Sequence, residues 1–486
     1  MKPDDLNNYD VLVLGGGNAA LSAAITAREL GASVLVLECA PKWFRGGNSR
    51  HTRNMRLAHE TLYDPFSGIY SEEEYWNDYQ RVTDGLADQK LARLTIHESA
   101  GCVEWMKNKG MRFQPALSGT LHTARTNAWF LGGGKALMNA LYHSAEKMGV
   151  RILYNAEVIG LDINNGKFRS ATVRMNGVNT LKISSKAVIA ASGGFQSNIE
   201  WLKEVWGTPA ENFLVRGTPY DTGTVLKLLI DLGAETAADP TQAHMVPIDA
   251  RSMKFDGGIV TRLDCVPLGV MVNKQGVRYY DEGEDFWPMR YAIWGRMVAQ
   301  QTDQISYCLF DSKVINRFLP SVFPPIKGNT IEEVARQFDL PVESVKATVA
   351  EFNRGVQPGT FDPAVLDNCK TENLVPPKTH WAQRIDTPPY YGYPLKPGLT
   401  FTYFGVKVNE MANVVMKDGR PAENIFAAGE IMSGNILPKG YVGGIGLVIG
   451  NIFGRIAGKE AVKIAKKCGE LHTQHAAKEV VTDVAK

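Results

Sequence analysis

Residues 10–38 have the sequence DVLVLGGGNAALSAAITARELGASVLVLE. Val11 to Leu14 is a short apolar run that predicts a buried strand, and three glycines follow it at once. Ala19 to Leu30 has helical composition and ends at Gly31, and Ser33 to Glu38 predicts a second buried strand. This order of strand, glycine-rich turn, helix and strand predicts the first βαβ unit of a parallel sheet with a right-handed crossover.

The glycine-rich turn fits the pattern G-x-G-x-x-A, with Gly15, Gly17 and Ala20 in the small positions. Such a turn lets the backbone approach a pyrophosphate at the positive end of the helix dipole. Glu38 lies 23 residues after Gly15, where a carboxylate can accept hydrogen bonds from ribose hydroxyls and would repel a 2′-phosphate. We therefore predict a dinucleotide site that disfavours NADP and is formed by Gly15, Gly17, Asn18, Ala19, Ala20 and Glu38.

Composition narrows the class of protein. Among 486 residues, 53 Lys and Arg against 51 Asp and Glu leave a net charge of +2, too balanced for a nucleic-acid surface. Six scattered cysteines with no C-x-x-C pair argue against zinc, iron–sulfur and dithiol chemistry, so no metal site is expected. The polar N-terminus lacks a signal-peptide pattern and no apolar run is long enough to span a membrane, so we expect a cytoplasmic location. The lysines after residue 459 alternate with acids and predict a solvated helix face.

Two later segments are predicted to return to the same sheet. Lys186 to Phe195 is an apolar strand that contains a glycine pair, and Asn424 to Glu430 is another, followed by a helix from Gly443 to Ala457. The region between them changes character and includes a capped helical stretch from Thr330 to Arg354. We predict an α/β fold, a Rossmann-like three-layer domain with a parallel sheet, interrupted by an inserted α+β capping domain. The predicted boundaries are 1–244 and 386–486 for the first domain and 245–385 for the insert.

Three further segments distinguish FAD from NAD. The run Gly46-Gly47-Asn48-Ser49 offers backbone amides and a hydroxyl near the expected flavin position, and Gly193-Gly194 lets the chain pass close to a cofactor. The pair Gly429-Glu430 is similar to a late flavoprotein strand whose acid holds ribose or ribityl hydroxyls. A simple NAD domain has none of the three, so FAD is the predicted cofactor. All these residues, together with Ile445, are predicted to contact it.

Together these motifs resemble the fumarate reductase/succinate dehydrogenase flavoprotein superfamily, which also includes 3-ketosteroid dehydrogenases. Within it, residues 46–59 (GGNSRHTRNMRLAH) and 429–458 look most like FAD-dependent tricarballylate dehydrogenases. That resemblance implies oxidation of a carbon–carbon single bond of a small anionic polycarboxylate, tricarballylate to cis-aconitate, by hydride transfer to flavin N5. It also implies a separate electron-accepting redox protein, either soluble or membrane-associated.

The resemblance leaves three alternatives open. One is a fumarate or enoate reductase, another is a 3-ketosteroid dehydrogenase-like enzyme, and the third is a flavin-binding subunit of a larger redox system. Phe401 and Tyr441 stand where a fumarate reductase has its late substrate histidine and its carboxylate-binding arginine. Arg262 and Cys265 stand where it has the Glu and Arg of a proton relay, so the relay is not present in its usual form. These departures argue against a dedicated fumarate reductase. His51 does not fall in the register of the family's covalent histidine, so non-covalent FAD is expected.

Catalytic candidates follow from the same comparison. His244 matches the family's first substrate histidine, and Arg290 is the nearest match to its proton-transferring arginine. Tyr441 could accept a proton only if cations lower its pKa, and the surrounding basic residues favour an anionic substrate. We predict Tyr441, Arg290 and His244 as catalytic residues. The predicted substrate-binding residues are Arg50, Thr402, Tyr403 and Lys439, and His122 and Arg125 are expected on the same side.

Overall fold

The computed structural model describes residues 9–116 and 123–471. The predictions for the N-terminus, for His122 and for the segment after residue 471 concern residues outside these ranges. In chain order, the strands are β1 (Tyr9–Leu14), β2 (Val34–Leu37), β3 (Asn54–Arg56), β4 (Asn127–Trp129), β5 (Arg151–Leu153), β6 (Ala156–Asn164), β7 (Lys167–Met175), β8 (Asn179–Ala190), β9 (Leu214–Val215), β10 (Thr236–Ala237), β11 (Ala243–Asp249), β12 (Val270–Val272), β13 (Ser306–Asp311), β14 (Ile326–Gly328), β15 (Tyr390–Thr402), β16 (Gly405–Val406), β17 (Asn413–Val415) and β18 (Pro421–Ala427). The helices are α1 (Asn18–Glu29), α2 (Glu72–Thr83), α3 (Gln89–Ser99), α4 (Cys102–Asn108), α5 (Gly133–Lys147), α6 (Ile199–Trp206), α7 (Thr224–Asp231), α8 (Trp287–Ala299), α9 (Ile331–Gln337), α10 (Val342–Gly355) and α11 (Ile445–Lys467).

A parallel sheet forms the centre of the first part of the fold. Its strands run in the order β17-β18-β8-β1-β2-β5, and all neighbouring pairs are parallel except β17 with β18. The hairpin β6–β7 extends β8 in antiparallel fashion. Every residue of β1 and β2 is buried, as the continuous apolar runs predict for a parallel sheet. The predicted α/β fold is confirmed.

The register of this sheet brings its loops to one edge. Leu14 is level with Leu37 on one side and with Ala190 on the other, and Ala190 is level with Ala427. The carboxyl ends of four strands therefore meet, which is where open α/β sheets bind ligands.

A second sheet carries the other half of the fold. Its order is β11-β15-β13-β12, with β9 and β14 also paired to the long strand β15, and α8 packs against β11 and β15. Strand β15 lies outside the predicted insert of residues 245–385, yet it pairs with β13 and β14 inside that range. The domain boundaries stay a prediction. The predicted helix from Thr330 to Arg354 is instead two helices, because Pro341 has no N–H to continue the ladder. The predicted cap is confirmed, since the Thr330 hydroxyl accepts the Glu333 N–H at 3.2 Å.

Helices α1 and α11 cross in close contact beside the parallel sheet. Gly450, Gly454 and Gly458 of α11 face α1, and a Cβ at Gly454 would lie 2.5 Å from the Ala19 carbonyl oxygen. Asn451 Nδ2 donates to Ser22 Oγ at 3.0 Å across the buried crossing. Among the helices of the described residues, none combines the length and apolar character that crossing a bilayer requires.

Candidate active site

A cavity of about 440 Å³ opens at the edge where the parallel strands end. One part of its wall comes from the loops after β1, β2, β8 and β18, and the other comes from the second sheet and α8. Within residues 9–116 and 123–471, no group of three or more His, Cys, Asp or Glu side chains could hold a metal ion. The lining of the cavity includes backbone turns, buried acids and arginines together with aromatic side chains.

The turn after β1 lines the cavity with its backbone. Gly15 has φ +115°, and a Cβ there would overlap the Ala191 carbonyl oxygen, so only glycine fits. Gly17 is the N-cap of α1, and the Asn18 N–H donates to Ser49 Oγ at 3.1 Å. The positive end of a 12-residue helix therefore points into the cavity, as a pyrophosphate requires.

Three buried carboxylates, Glu38, Asp221 and Glu430, surround the same part of the cavity. Glu38 accepts the Ala40 N–H at 2.8 Å, Glu430 accepts the Thr402 N–H at 2.9 Å, and Asp221 accepts from Gln196 Nε2 at 2.8 Å. Within the described residues, none of the three has an ion-pair partner. Burial raises the pKa of all three, that of Glu430 to about 8.

Buried acids without a cation are costly unless hydroxyl donors satisfy them. The ribose and ribityl hydroxyls of FAD are such donors, and the turn at Gly15 suits its pyrophosphate. The chemistry of this part of the cavity therefore fits FAD.

The other end of the cavity is cationic. Arg216 follows β9, where its N–H donates to the Leu399 carbonyl at 2.9 Å, and its guanidinium lines the cavity. Its Nε and Nη1 have no hydrogen-bond partner in the described part of the chain, and burial lowers its pKa. A buried guanidinium with free donors is a site for an anion.

His244 lies beside Arg216 on β11, at a bulge between His244 and Met245. The side chain is buried, and neither ring nitrogen has a partner among the described residues. Burial, reinforced by Arg216, lowers the pKa of His244 well below its ordinary value. The imidazole is therefore neutral and can both donate and accept a hydrogen bond.

Two more arginines line the cavity around one buried acid, Asp264. Arg262 Nη2 lies 2.7 Å from Asp264 Oδ2, and Trp287 Nε1 donates to Asp264 Oδ1 at 2.9 Å. Arg53 Nη2 lies farther from the same carboxylate, at 3.8 Å. The guanidinium of Arg262 is 4.5 Å from the Trp287 ring and 5.1 Å from that of Tyr291.

Tyr441 lies in the loop before α11 and closes this end of the cavity. Its ring centroid is 4.3 Å from that of His244, and its hydroxyl oxygen accepts the Gly446 N–H at 3.1 Å. Burial raises the pKa of Tyr441, whereas the Gly446 N–H and Arg216 act in the opposite direction. The Gly446 N–H and Arg216 both favour the phenolate form of Tyr441, and so does the positive end of the 23-residue helix α11.

The His51 ring also lines the cavity, but its Nε2 lies 2.8 Å from Asp256 Oδ1. Burial lowers the pKa of His51 and the carboxylate partly restores it. One ring nitrogen is thus committed to a protein partner.

Comparison with known proteins places the chain in a family. A family model described as "FAD binding domain" matches residues 10–447. The chain belongs to this FAD-binding family. It is an FAD-dependent oxidoreductase that acts on CH–CH groups, within the fumarate reductase-like flavoproteins.

The individual relatives have low sequence identity to this chain but align with most of its length. A probable fumarate reductase of Shewanella frigidimarina (strain NCIMB 400) is 27% identical over 94% of this chain and 75% of its own length. An NADH:acrylate oxidoreductase of Vibrio harveyi is 25% identical over 93% of this chain, which spans only 50% of that protein. The open conformation of a flavocytochrome c3 fumarate reductase has a TM-score of 0.73 at 24% identity, covering 94% of this chain and 79% of that one. This structural likeness shows the fold alone.

Many residues predicted for the flavoenzyme's cofactor and substrate lie together in the cavity. The predicted residues that line it are Gly15, Gly17, Asn18, Ala19, Glu38, Gly47, Asn48, Ser49, Gly193, Gly429, Glu430, His244 and Tyr441. Ala20, Gly46, Gly194 and Ile445 lie behind the wall rather than in it. The Asn48 side chain joins two wall segments, donating to the Thr400 carbonyl at 2.6 Å and accepting the Thr218 N–H at 2.9 Å.

Five predicted catalytic or substrate-binding residues do not line the cavity. Arg290 Nε lies 2.6 Å from Glu284 and Lys439 pairs with Asp84, both on side chains that are more than a third exposed. The Arg50 guanidinium stacks 4.0 Å from the Phe44 ring. Thr402 contacts Glu430, and Tyr403 is fully buried. The Tyr403 hydroxyl has no hydrogen-bond partner among the described residues, and the catalytic and substrate roles of these five residues stay a prediction.

Sequence reasoning missed several residues that the structure brings into the cavity. Arg53 lies a few residues after the run Gly46-Gly47-Asn48-Ser49, and Asp221 lies just before Gly223, which directly precedes α7. Both residues therefore lie close to a glycine that the sequence makes visible. Arg216 follows a two-residue strand and carries none. Trp287 and Tyr291 were recognised only as neighbours of Arg290, yet their helical spacing stacks their rings at 4.4 Å on the cavity side of α8.

Proposed function

We propose that this flavoenzyme oxidises a carbon–carbon single bond of a small polycarboxylate, and that the reaction is tricarballylate to cis-aconitate. The observation that carries the proposal is the charge of the substrate end of the cavity. Arg53, Arg216 and Arg262 face it, while Asp264 is the carboxylate that contacts two of them. Three guanidinium groups against one carboxylate complement a substrate with several carboxylates.

The cofactor end has a separate task. The turn from Gly15 to Ala19 would hold the FAD pyrophosphate, and Glu38, Asp221 and Glu430 would hold its hydroxyls. Bound FAD supplies the oxidant that takes two electrons from the substrate. Because His51 Nε2 is engaged by Asp256, we favour non-covalent FAD.

We assign to Tyr441 the role of accepting the proton that leaves the substrate carbon. A carbon next to a carboxylate is a weak acid, so its proton leaves only if cations neutralise that carboxylate and a base lies within reach. Arg216 can neutralise it, and the Gly446 N–H at 3.1 Å together with the start of α11 can stabilise the Tyr441 oxygen. Neutral His244 adds a hydrogen bond to the substrate without adding charge.

Electrons must then leave the flavoenzyme. We propose a separate electron-accepting redox protein, because in the described part of the chain the six cysteines are scattered and free, and no set of side chains there could hold an iron–sulfur cluster. The cytoplasmic location expected from the sequence stays a prediction.

Anaerobic mixing tests the function directly. The FAD-loaded protein is mixed with tricarballylate, succinate or a 3-ketosteroid, and bleaching of the flavin absorbance is followed. We expect tricarballylate to bleach the flavin fastest. Bleaching by the steroid alone would assign the steroid alternative, and no bleaching by any of them would contradict a dehydrogenase.

A reductase is the second candidate, since the relatives named above are a fumarate reductase and an acrylate oxidoreductase. The same cations and the same tyrosine serve the reverse reaction, in which the tyrosine donates the proton. Chemically reduced enzyme is mixed with fumarate and with cis-aconitate, and reoxidation of the flavin is recorded. Turnover that is faster in this direction than in the oxidation would favour the reductase. The arginine-lined wall disfavours a ligand as apolar as a steroid.

A further inference from the structure

Arg53 is held differently from the other two cavity arginines. It lies between the turn Gly47–His51 and β3, and its carbonyl accepts the Phe130 N–H at 2.9 Å. Its guanidinium carbon is 4.9 Å from the Trp129 ring and 5.7 Å from the Trp287 ring. Two indole rings thus flank the planar cation at cation–π distance.

The carboxylate nearest to Arg53 is already engaged. Asp264 accepts from Arg262 Nη2 at 2.7 Å and from Trp287 Nε1 at 2.9 Å, whereas Arg53 Nη2 is 3.8 Å away. That Nη2 is buried and has no hydrogen-bond partner in the part of the chain that the structure describes. Arg53 therefore faces the cavity with an unsatisfied donor and with a charge that Asp264 shares with Arg262.

Arg216 is associated with a different group of side chains. It lowers the pKa of His244 and opposes the burial that raises the pKa of Tyr441 and Tyr291. Arg53 instead contacts Trp129 and Trp287. Arg262 shares Trp287 with Arg53 and Tyr291 with Arg216. Arg262 thus links the two groups of side chains, with Arg53 beside Trp129 and Arg216 beside His244 and Tyr441.

We propose that Arg53, held by Trp129 and Trp287, binds the third carboxylate of the substrate and so selects tricarboxylates over dicarboxylates. The proposal rests on the proposed function, and it assigns the other two carboxylates to Arg216 and Arg262. The planar fork of a guanidinium matches a carboxylate in a bidentate contact. The discrimination should be large, because a diacid leaves the buried Arg53 donors unpaired.

The test compares tricarballylate with methylsuccinate, which has the same skeleton with one terminal carboxylate replaced by hydrogen. For Arg53→Gln, the ratio of kcat/KM for the triacid to that for the diacid should fall by about 30-fold or more, the loss typical of a charged hydrogen bond. Titration of the oxidised enzyme with cis-aconitate, followed by the flavin spectrum, should show a weaker Kd of similar size. Arg53→Lys keeps the charge without the fork and should give an intermediate ratio.

Arg45→Gln is the matched control. Arg45 lies, like Arg53, in the connection between β2 and β3, and its side chain has the same exposure, 18%. It stacks 4.1 Å from the Tyr142 ring and does not line the cavity. Its ratio should stay within about twofold of the wild type. An unchanged ratio in both Arg53 variants would overturn the inference while leaving the dehydrogenase in place. Failure of every polycarboxylate to bleach the wild-type flavin would instead overturn the function itself.

Discussion

Single side chains at the substrate end divide the work between charge and proton transfer. Arg216 Nε and Nη1 and both ring nitrogens of His244 are buried without a hydrogen-bond partner in residues 9–116 and 123–471, and such groups are retained in folded proteins when a ligand satisfies them. Tyr441 differs because the Gly446 N–H already contacts its oxygen, so a negative charge there is stabilised before substrate arrives. The proposed proton acceptor is thus part of the wall of the cavity.

Replacing Tyr441 with phenylalanine tests this assignment. The ring and its packing against His244 remain, but the oxygen that accepts the proton is lost. The rate of flavin reduction by tricarballylate in a stopped-flow experiment should fall by about 100-fold or more. FAD content measured by absorbance should stay at the wild-type level, and a reduction rate within threefold of wild type would remove Tyr441 from the role.

The pH dependence of flavin reduction follows from the two pKa directions. Burial raises the pKa of Tyr441, so the phenol is protonated near neutrality and the reactive phenolate grows as pH rises. The rate constant should therefore rise with pH through the alkaline range, by up to about tenfold per unit. Because the pKa of His244 is lowered, no inflection should occur near the ordinary histidine value. Tyr441→Phe should flatten the alkaline rise, and a slope retained in that variant would point to another base.

Among the elements, the contact of α1 with α11 has the most direct bearing on the cofactor. Helix α1 begins at the turn that faces the cavity, and the glycines of α11 let the two backbones approach. A Cβ at Gly454 would lie 2.9 Å from Ser22 Cβ as well as against the Ala19 carbonyl. Any larger side chain must push α1 away from its place under the cavity.

Gly454→Val should therefore weaken both folding and FAD retention. Overpacking a close contact costs about 1–3 kcal/mol, and the shift of α1 would disturb the turn from Gly15 to Ala19. The thermal unfolding midpoint and the FAD occupancy after gel filtration should both fall. Lys463→Ala on the exposed face of α11 serves as the control, and a Gly454 variant as stable and as yellow as the wild type would contradict the packing argument.

The elements also show what a sequence can and cannot predict here. The βαβ unit of residues 10–38 was predicted within one or two residues, since apolar runs and glycines act locally. Most of the residues predicted to contact the cofactor line one cavity for the same reason, since each glycine motif is a local pattern. The substrate end depends on pairing between distant segments, such as β9 with β15 and Asp264 with Trp287. No local pattern carries that information, so Arg216 was missed and Arg290 was favoured.

At the scale of the whole molecule, the fold buries three acids that have no ion-pair partner within residues 9–116 and 123–471. Burial raises the pKa of Glu430 to about 8, above the value near 4 expected in an unfolded chain. The folded apoprotein then holds a proton that the unfolded chain loses, so this contribution to stability is complete at acid pH and disappears as pH rises through about 8. The thermal midpoint of FAD-free protein should fall between pH 5 and pH 8, and saturating FAD should reduce that slope. Equal slopes with and without FAD would contradict the assignment of Glu430 to the cofactor.

The buried carboxylates Glu38, Asp221 and Glu430 also make cofactor uptake a proton-exchange reaction. When hydroxyl donors replace the protons that neutralise these acids, the acids ionise and the displaced protons pass to the buffer. Titration calorimetry in two buffers with different heats of ionisation would then give different apparent enthalpies, and their difference counts the protons released per FAD. A cell compartment that turned acidic would, by the same stoichiometry, favour the loss of the flavin.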